Sequence, residues 1–412
     1  MHKEFYNRLD KRISGYQQDV IDMQKAFTGI QAIGPENNGQ GEAEKAECIK
    51  KYLNNYGVHE LIEVHAPDQR VSSGYRPNLL ALIRGKSDQR TTWIMSHMDV
   101  VPPGDLNLWD TDPFEITVKD NKIYGRGTED DQQGIVSSLL LLKALHEEQI
   151  ELPYNLGLLI VSDEEAGSEF GIQYVLKNRA DLFKPEDWII IPDAGNEDGT
   201  MIEVAEKSIL WVKFEIKGKQ THGSTPEKGI NSHTAAAHLV VQMEKLYDDF
   251  NHSDPVYDPP ISTFAPTKKE TNVDNINTIP GLDMVYFDCR ILPDYTLEKV
   301  KEQIHLYAVE IERRFGVTIN TSYPQDVPAP PPTPADTPVA HALKKAVGDV
   351  LNREARSMGI GGGTVAAYFR EAKLPAVCWC TVDDTLHGPN EYCKIENVIN
   401  DAKVFAHVCL QQ

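Results

Sequence analysis

The chain has 412 residues, 41% of them apolar, and a formal net charge of −21. That length exceeds one ordinary domain and that apolar fraction supports a sizeable core, which argues against a disordered chain. The negative charge argues against nucleic acid and anionic membrane surfaces as partners, because both need a basic face.

The N-terminal MHKEFYNRLDKRISGYQQ lacks the apolar segment of a signal peptide, and no run of about 18 apolar residues provides a membrane span. Residues 1–57 read as helix, with apolar residues at helical spacing in LDKRISGYQQDVIDMQKAF and GEAEKAECIKKYLNNYG. Apolar runs then predict strands at 78–83, 91–96, 156–162, 187–192 and 375–381. Between them, 134–149 is apolar nearly all round and predicts a buried helix. Buried strands alternating with helices imply an α/β domain with a mixed, largely parallel sheet and helices on both faces.

The pattern changes near Glu206. LWVKFEIKG (210–218) alternates apolar and polar residues, as a half-exposed antiparallel strand does. A helix (231–250), a loop (251–280), a strand (284–291) and a helix (295–315) follow, and PQDVPAPPPTP (324–334) reads as a stiff connector. The expected organisation is a catalytic domain in two parts, 1–206 and 324–412, interrupted by an inserted α+β domain at 207–323. Six cysteines scattered through a large chain do not form a disulfide framework and suit a reducing, cytoplasmic compartment. Cys378 and Cys380 read as alternating positions of a strand rather than metal ligands.

Candidate chemistry gathers at strand ends. His97 follows the 91–96 run, Glu164 and Glu165 follow 156–162, Asp193 follows 187–192, and His387 lies beyond 375–381. Asp130, in GRGTEDDQQG, precedes the buried helix. Taken singly, an Asp after a strand is a helix cap or turn former, and a Glu pair is a solvated turn. Ligands in open α/β sheets bind outside the carboxyl ends of the strands, so four such ends carrying His or acid point to one site. Two His and three carboxylates suit zinc, with cobalt or manganese as alternatives.

Eight motifs follow in order along nearly the whole chain. They are His-x-Asp (97–99), Gly-Arg-Gly-x-x-Asp (125–130), Asp-Glu-Glu (163–165), Pro-Asp-Ala-Gly (192–195), His-Gly-x-x-Pro (222–226), Asn-x-Ile-Pro-Gly (277–281), Gly-Gly-Thr (362–364) and Leu-His-x-x-Asn-Glu (386–391). Together they resemble the co-catalytic zinc peptidase and deacylase family of aminoacylase, succinyl-diaminopimelate desuccinylase, acetylornithine deacetylase, glutamate carboxypeptidases and carnosinase-type dipeptidases. The resemblance implies one metal on His97, Asp130 and Asp193 and a second on Glu165 and His387, with Asp130 bridging. It implies Asp99 as acceptor of the His97 ring N–H, Glu164 as general base for a metal-bridging hydroxide, and a cis bond between Asp130 and Asp131. It further implies that the insertion acts as a lid and dimerisation domain whose His222 stabilises the oxyanion, in a homodimer. Arg290, Asn275, Gly363 and Thr364 resemble substrate-binding positions of that family.

The expected activity is cleavage of an amide bond in a dipeptide or small peptide. The alternative is deacylation of an N-acyl amino acid of the succinyl-diaminopimelate or acetylornithine type, and a remote one is a catalytically silent metal-binding scaffold. Gln132, Gln133 and Val365–Ala367 depart from the family pattern beside the ligands, which puts the substrate pocket rather than the metals in question. No nucleophile-elbow or phosphate-loop motif occurs where a strand meets a helix, which disfavours a serine or nucleotide-dependent enzyme.

Overall fold

The computed structural model describes residues 2–412. The chain forms two compact units: Met1–Val204 with Pro332–Met358 and Thr364–Gln412, and Ala205–Pro331 with Gly359–Gly363.

The first unit is built on a sheet ordered Glu60–Pro67, Tyr75–Ile83, Tyr154–Val161, Ser87–His97, Trp188–Ile191, Ala376–Cys378, Met201–Glu206 and Arg356–Ile360. The pairings from Tyr154–Val161 through Ser87–His97 and Trp188–Ile191 to Ala376–Cys378 are parallel. Strand Tyr75–Ile83 pairs antiparallel with both its neighbours. The expected mixed α/β sheet is therefore present, with its parallel part at the centre. Trp93 and Met95 face a cluster containing Ile172, Val175 and Phe369, from two short helices. The same strand packs against helix Gln132–Glu148, in turn covered by Ile395–Cys409. Gly157 lies opposite Trp93 in the parallel ladder, and a Cβ there would sit 2.2 Å from the indole, so no side chain fits.

The buried helix begins at Gln132 because Asp131 caps it, accepting from Gly134 N at 3.2 Å. It ends at Gln149 in the left-handed conformation. Its residues are buried on nearly every face, as the all-round apolar pattern predicts.

The second unit is an antiparallel sheet ordered Thr263–Lys269, Leu282–Ile291, Ser208–Lys217 and Thr318–Val327. One face packs on helices Ser232–Met243 and Leu297–Phe315 through Val212, Phe214, Phe287, Leu239 and Ile304. Two expectations fail here. The predicted loop 251–280 contains strand Thr263–Lys269, and the first residues of the predicted connector 324–334 belong to strand Thr318–Val327. Both are edge strands rich in polar residues, so hydropathy does not reveal them. Pro324 is tolerated because the register shifts between Ser322 and Gln325. The unit consequently runs to Pro331, beyond the expected limit at 323. In the first unit, strands Glu60–Pro67, Met201–Glu206 and Arg356–Ile360 were not anticipated. Among the described residues, no helix is long and apolar enough to cross a membrane. All six cysteines are free; Cys378 ends a strand and Cys380 lies just beyond it, both buried.

Candidate metal centre

The parallel strands end on one edge, and that edge carries the site. His97 is the last residue of its strand, and Asp193 follows Trp188–Ile191 by two residues. Glu164 and Glu165 start a tight turn after Tyr154–Val161, entered through Asp163 in the left-handed conformation (φ 66°). Asp130 precedes the buried helix, and the Asp130–Asp131 peptide bond is cis.

His97 Nε2 is 2.9 Å from Asp130 Oδ1 and 3.6 Å from Asp193 Oδ1. His387 Nε2 is 3.2 Å from Asp130 Oδ2 and 3.0 Å from Glu165 Oε2. The five expected ligands thus form two groups that share Asp130, one oxygen to each. Asp131 stands beside them, but its oxygens accept from the backbone N–H of His97 (3.1 Å) and of Gly134 (3.2 Å). Both its oxygens are thus engaged by backbone donors, whereas each Asp130 oxygen faces a histidine.

The electrostatics describe a site short of positive charge. Burial raises the carboxyl pKa values of Glu164, Glu165 and Asp193, and repulsion among neighbouring acids adds to it. Burial disfavours charge on His97, but Asp130, Asp193 and Asp99 outweigh it and raise its pKa well above the ordinary range. Asp130 and Glu165 push His387 up to about 10. Oxygen and imidazole donors converging in a buried, acid-rich pocket fit divalent cations. Two groups of ligand-capable atoms, His97–Asp130–Glu165 and His97–Asp131–Asp193, each lie within 4.8 Å.

Asp99 approaches the His97 ring with both its main chain and its side chain. The His97 Nδ1 faces the backbone carbonyl of Asp99 at 3.0 Å, with the Asp99 carboxylate farther away at 3.5 Å. That carboxylate also accepts the N–H groups of Glu164 and Glu165, both at 3.0 Å. Asp99 therefore orients the His97 ring chiefly through its main chain and the Glu pair through its side chain.

Several supporting residues escaped the sequence reading. Buried Arg76 donates Nε to Glu42 at 2.6 Å and Nη1 to Asp163 at 3.2 Å, fixing the turn that presents Glu164. Lys45 is fully buried, and its Nζ has no hydrogen-bond partner; burial lowers its pKa to about 8 while Asp99, Glu42 and Glu391 oppose that shift. Glu129, Glu391 and Arg126 are buried beside Asp130. Glu129 and Glu391 lie inside the quoted motifs, yet a Glu in a polar loop reads as solvated. Nothing in the sequence joins Arg76 to Glu42, 34 residues away.

The remaining candidates do not join the ligand group. In the second unit, exposed His222 pairs across a short ribbon with Thr278, and its Nδ1 is 2.8 Å from Ser224 Oγ. The ribbon's other arm carries exposed Asn275, whose carbonyl accepts from Thr278 N. Arg290 is already engaged: Asp288 takes Nε at 2.6 Å and Nη2 at 3.0 Å, and Gly361 O takes Nη1 at 2.7 Å. A substrate carboxylate would have to share that fork. Gly363 lies in the second unit and Thr364 in the first. Thr364 Oγ1 accepts from Ala366 N at 3.2 Å, at the start of a short helix.

The model of peptidase family M20/M25/M40 matches residues 93–411. An uncharacterized metallohydrolase of Methanocaldococcus jannaschii is 42% identical over 405 residues, covering 95% of this chain and 98% of its own. Succinyl-diaminopimelate desuccinylase of Sulfurovum sp. is 28% identical over 389 residues, covering 94% and 97%. Among solved structures, human carnosine dipeptidase 1 superposes with a TM-score of 0.72 at 20% identity, covering 98% of each chain. A Bacillus subtilis protein described as a dinuclear metal binding peptidase gives 0.63 at 16% identity, covering 96% and 98%. At those identities the structures share the fold.

Proposed function

The chain belongs to peptidase family M20/M25/M40 and is a metal-dependent hydrolase, and from that premise we propose that it uses two metal ions to cleave an amide bond in a dipeptide or small peptide. The observation that carries the two-metal reading is Asp130, whose two oxygens face His97 and His387 separately. His97, Asp130 and Asp193 would hold one ion and Asp130, Glu165 and His387 the other, with zinc best suited to this donor set. Two such ions lower the pKa of water towards about 7 and polarise a carbonyl.

The chain's own residues do the rest. Glu164 is the general base: no hydrogen bond engages its carboxyl among the described residues, so it is free to take a proton from water and return it to the leaving nitrogen. His222 donates an N–H to the carbonyl oxygen as negative charge develops there, acting from the second unit and, in a homodimer, on the partner's site. His222→Ala is expected to lower kcat about 10²–10³-fold with metal content unchanged, measured by kinetics and metal analysis; loss of metal would remove His222 from this role. Partial recovery on mixing His222→Ala with Glu164→Ala subunits would support sharing across a dimer. The cytoplasmic reading rests on six free cysteines.

A cavity of about 150 Å³ beside Asp130 and Asp193, walled by Cys380, Val382 and Leu386, with Asp384 also lining it, supports the peptide reading. Its charged residues, Glu129, Asp130, Asp193 and Asp384, are all acidic. With Asp130 and Asp193 given to the metal ions and Glu129 to backbone donors, Asp384 is the lining acid left to meet a substrate's free ammonium group. The second reading, an N-acyl-amino-acid deacylase, is favoured by the desuccinylase relatives at 28% identity. Hydrolysis of dipeptides should be compared with that of N-acetyl, N-succinyl and N-carbamoyl amino acids, using zinc-, manganese- and cobalt-loaded protein. Faster turnover of the acylated amino acids would overturn the dipeptide reading, and no turnover of either class would overturn amide hydrolysis.

A chelator is expected to abolish activity and zinc or cobalt to restore it. With His387 at about 10 in the metal-free protein, metal uptake at neutral pH must displace its proton, so metal affinity should rise with pH up to that value. Calorimetric titration in two buffers of different ionisation heat reads the released protons; identical heats would refute the linkage.

A further inference from the structure

Asp130 and His387, ligands on different loops, are held to each other by two buried carboxylates that reach in opposite directions. Glu391, from the His387 loop, accepts Arg126 Nη1 (2.6 Å) and Gly127 N (3.0 Å) on Oε2. On Oε1 it accepts Glu129 N (3.0 Å) and Asp130 N (3.1 Å). Glu129, from the Asp130 loop, accepts Asp383 N (2.6 Å) on Oε1, and Thr385 N (2.6 Å) and Thr385 Oγ1 (2.7 Å) on Oε2. Arg126 Nη2 adds a bond to His387 O at 3.2 Å. The loops run side by side because strands Lys122–Tyr124 and Tyr392–Lys394 pair antiparallel.

We propose that Glu129 and Glu391 form a reciprocal clamp: each loop's carboxylate orders the backbone of the other, and the pair together fixes the distance between Asp130 and His387, which would bind the second metal. The oxygens of both Glu side chains are taken up by these donors, so both are positioning residues. The chemistry requires carboxylates. Each oxygen pair accepts from three or four donors at once, and an amide would turn an N–H₂ group towards backbone N–H groups. Because each loop is the template for the other, releasing either one releases both. Two independent supports would instead contribute separately.

This inference rests on the two-metal reading of the site. The experiment is metal titration of the full-length, metal-stripped protein with zinc against a chromophoric chelator, for wild type, Glu129→Gln, Glu391→Gln and the double variant. Wild type should bind two ions; binding of one would fail the two-metal reading while leaving the coupling measurable at that ion. Each single variant should weaken the second ion about 10–100-fold and the first less, because only one of the first ion's three ligands, Asp130, lies on a clamped loop. The double variant should be no weaker than the worse single. A double loss equal to the product of the single losses, or singles that bind both ions as wild type does, would overturn the clamp. If Glu391→Gln does not fold, Thr385→Val removes one donor to Glu129. Because Thr385 Oγ1 also accepts from Tyr392 N at 3.1 Å, the substitution should weaken the second ion in both backgrounds but more in wild type than in Glu129→Gln; an equal effect in both would overturn the proposal.

Discussion

Glu164→Gln is expected to lower kcat by about 10²–10⁴-fold while both metals stay bound and KM changes little. The expectation comes from how the turn is built. The Glu164 and Glu165 N–H groups both bond to Asp99, so the two neighbouring side chains start from one fixed backbone. Glu165 Oε2 approaches His387 Nε2 at 3.0 Å, whereas the Glu164 carboxyl is left without a partner among the described residues. On the proposed reading one acid belongs to the ligand group and the other to proton transfer. Glutamine preserves size and burial and removes only the basic oxygen. The measurements are steady-state kinetics on a hydrolysed substrate and metal analysis of the same preparation. Retained turnover would sink Glu164 as the base, and loss of a metal ion would make it a ligand.

The largest stability effect is expected at Arg76. Its side chain is 1% exposed and lies between Glu42, which is fully buried, and Asp163, which is 2% exposed. Arg76→Met strands those two carboxylates without their cation, and breaking such a buried pair costs about 3–5 kcal/mol. Replacing Glu42 by Leu in the same protein removes one stranded charge and should recover part of the loss. Denaturant unfolding is the measurement, on chelator-stripped protein, because bound metal would add its own stabilisation. An Arg76→Met cost below about 1 kcal/mol, the size of an exposed pair, would mean that water reaches the network.

The two predictions differ in how far the sequence anticipates them. Glu164 is legible because its role is local: an acid pair directly after an apolar run, at the end of a strand. The same holds for His97, Asp193 and the parallel strands beneath them, where short continuous apolar segments suffice to identify buried strands. Strands Thr263–Lys269 and Thr318–Val327 were missed because edge strands expose most of their side chains, so nothing in their hydropathy distinguishes them from loops. Arg290 shows a different limit. Its residue type suits a substrate carboxylate, and nothing in the sequence shows that Asp288 and Gly361 O also meet its fork.

The sequence by itself determined the reaction's raw materials: two histidines and three carboxylates at the ends of apolar runs, with a Glu beside one of them. Residue type and adjacency to a strand are properties of a few consecutive positions, and they survive in a linear reading. Tertiary structure alone decided how those groups are held. It brought Arg76 to Glu42 and Asp163, set the Asp99 carboxylate on the N–H groups of the Glu pair, and crossed Glu129 with Glu391. The physical reason is burial. A charged residue in a polar loop reads as solvated until the fold removes the water, and only then must it find donors or an opposite charge from distant parts of the chain.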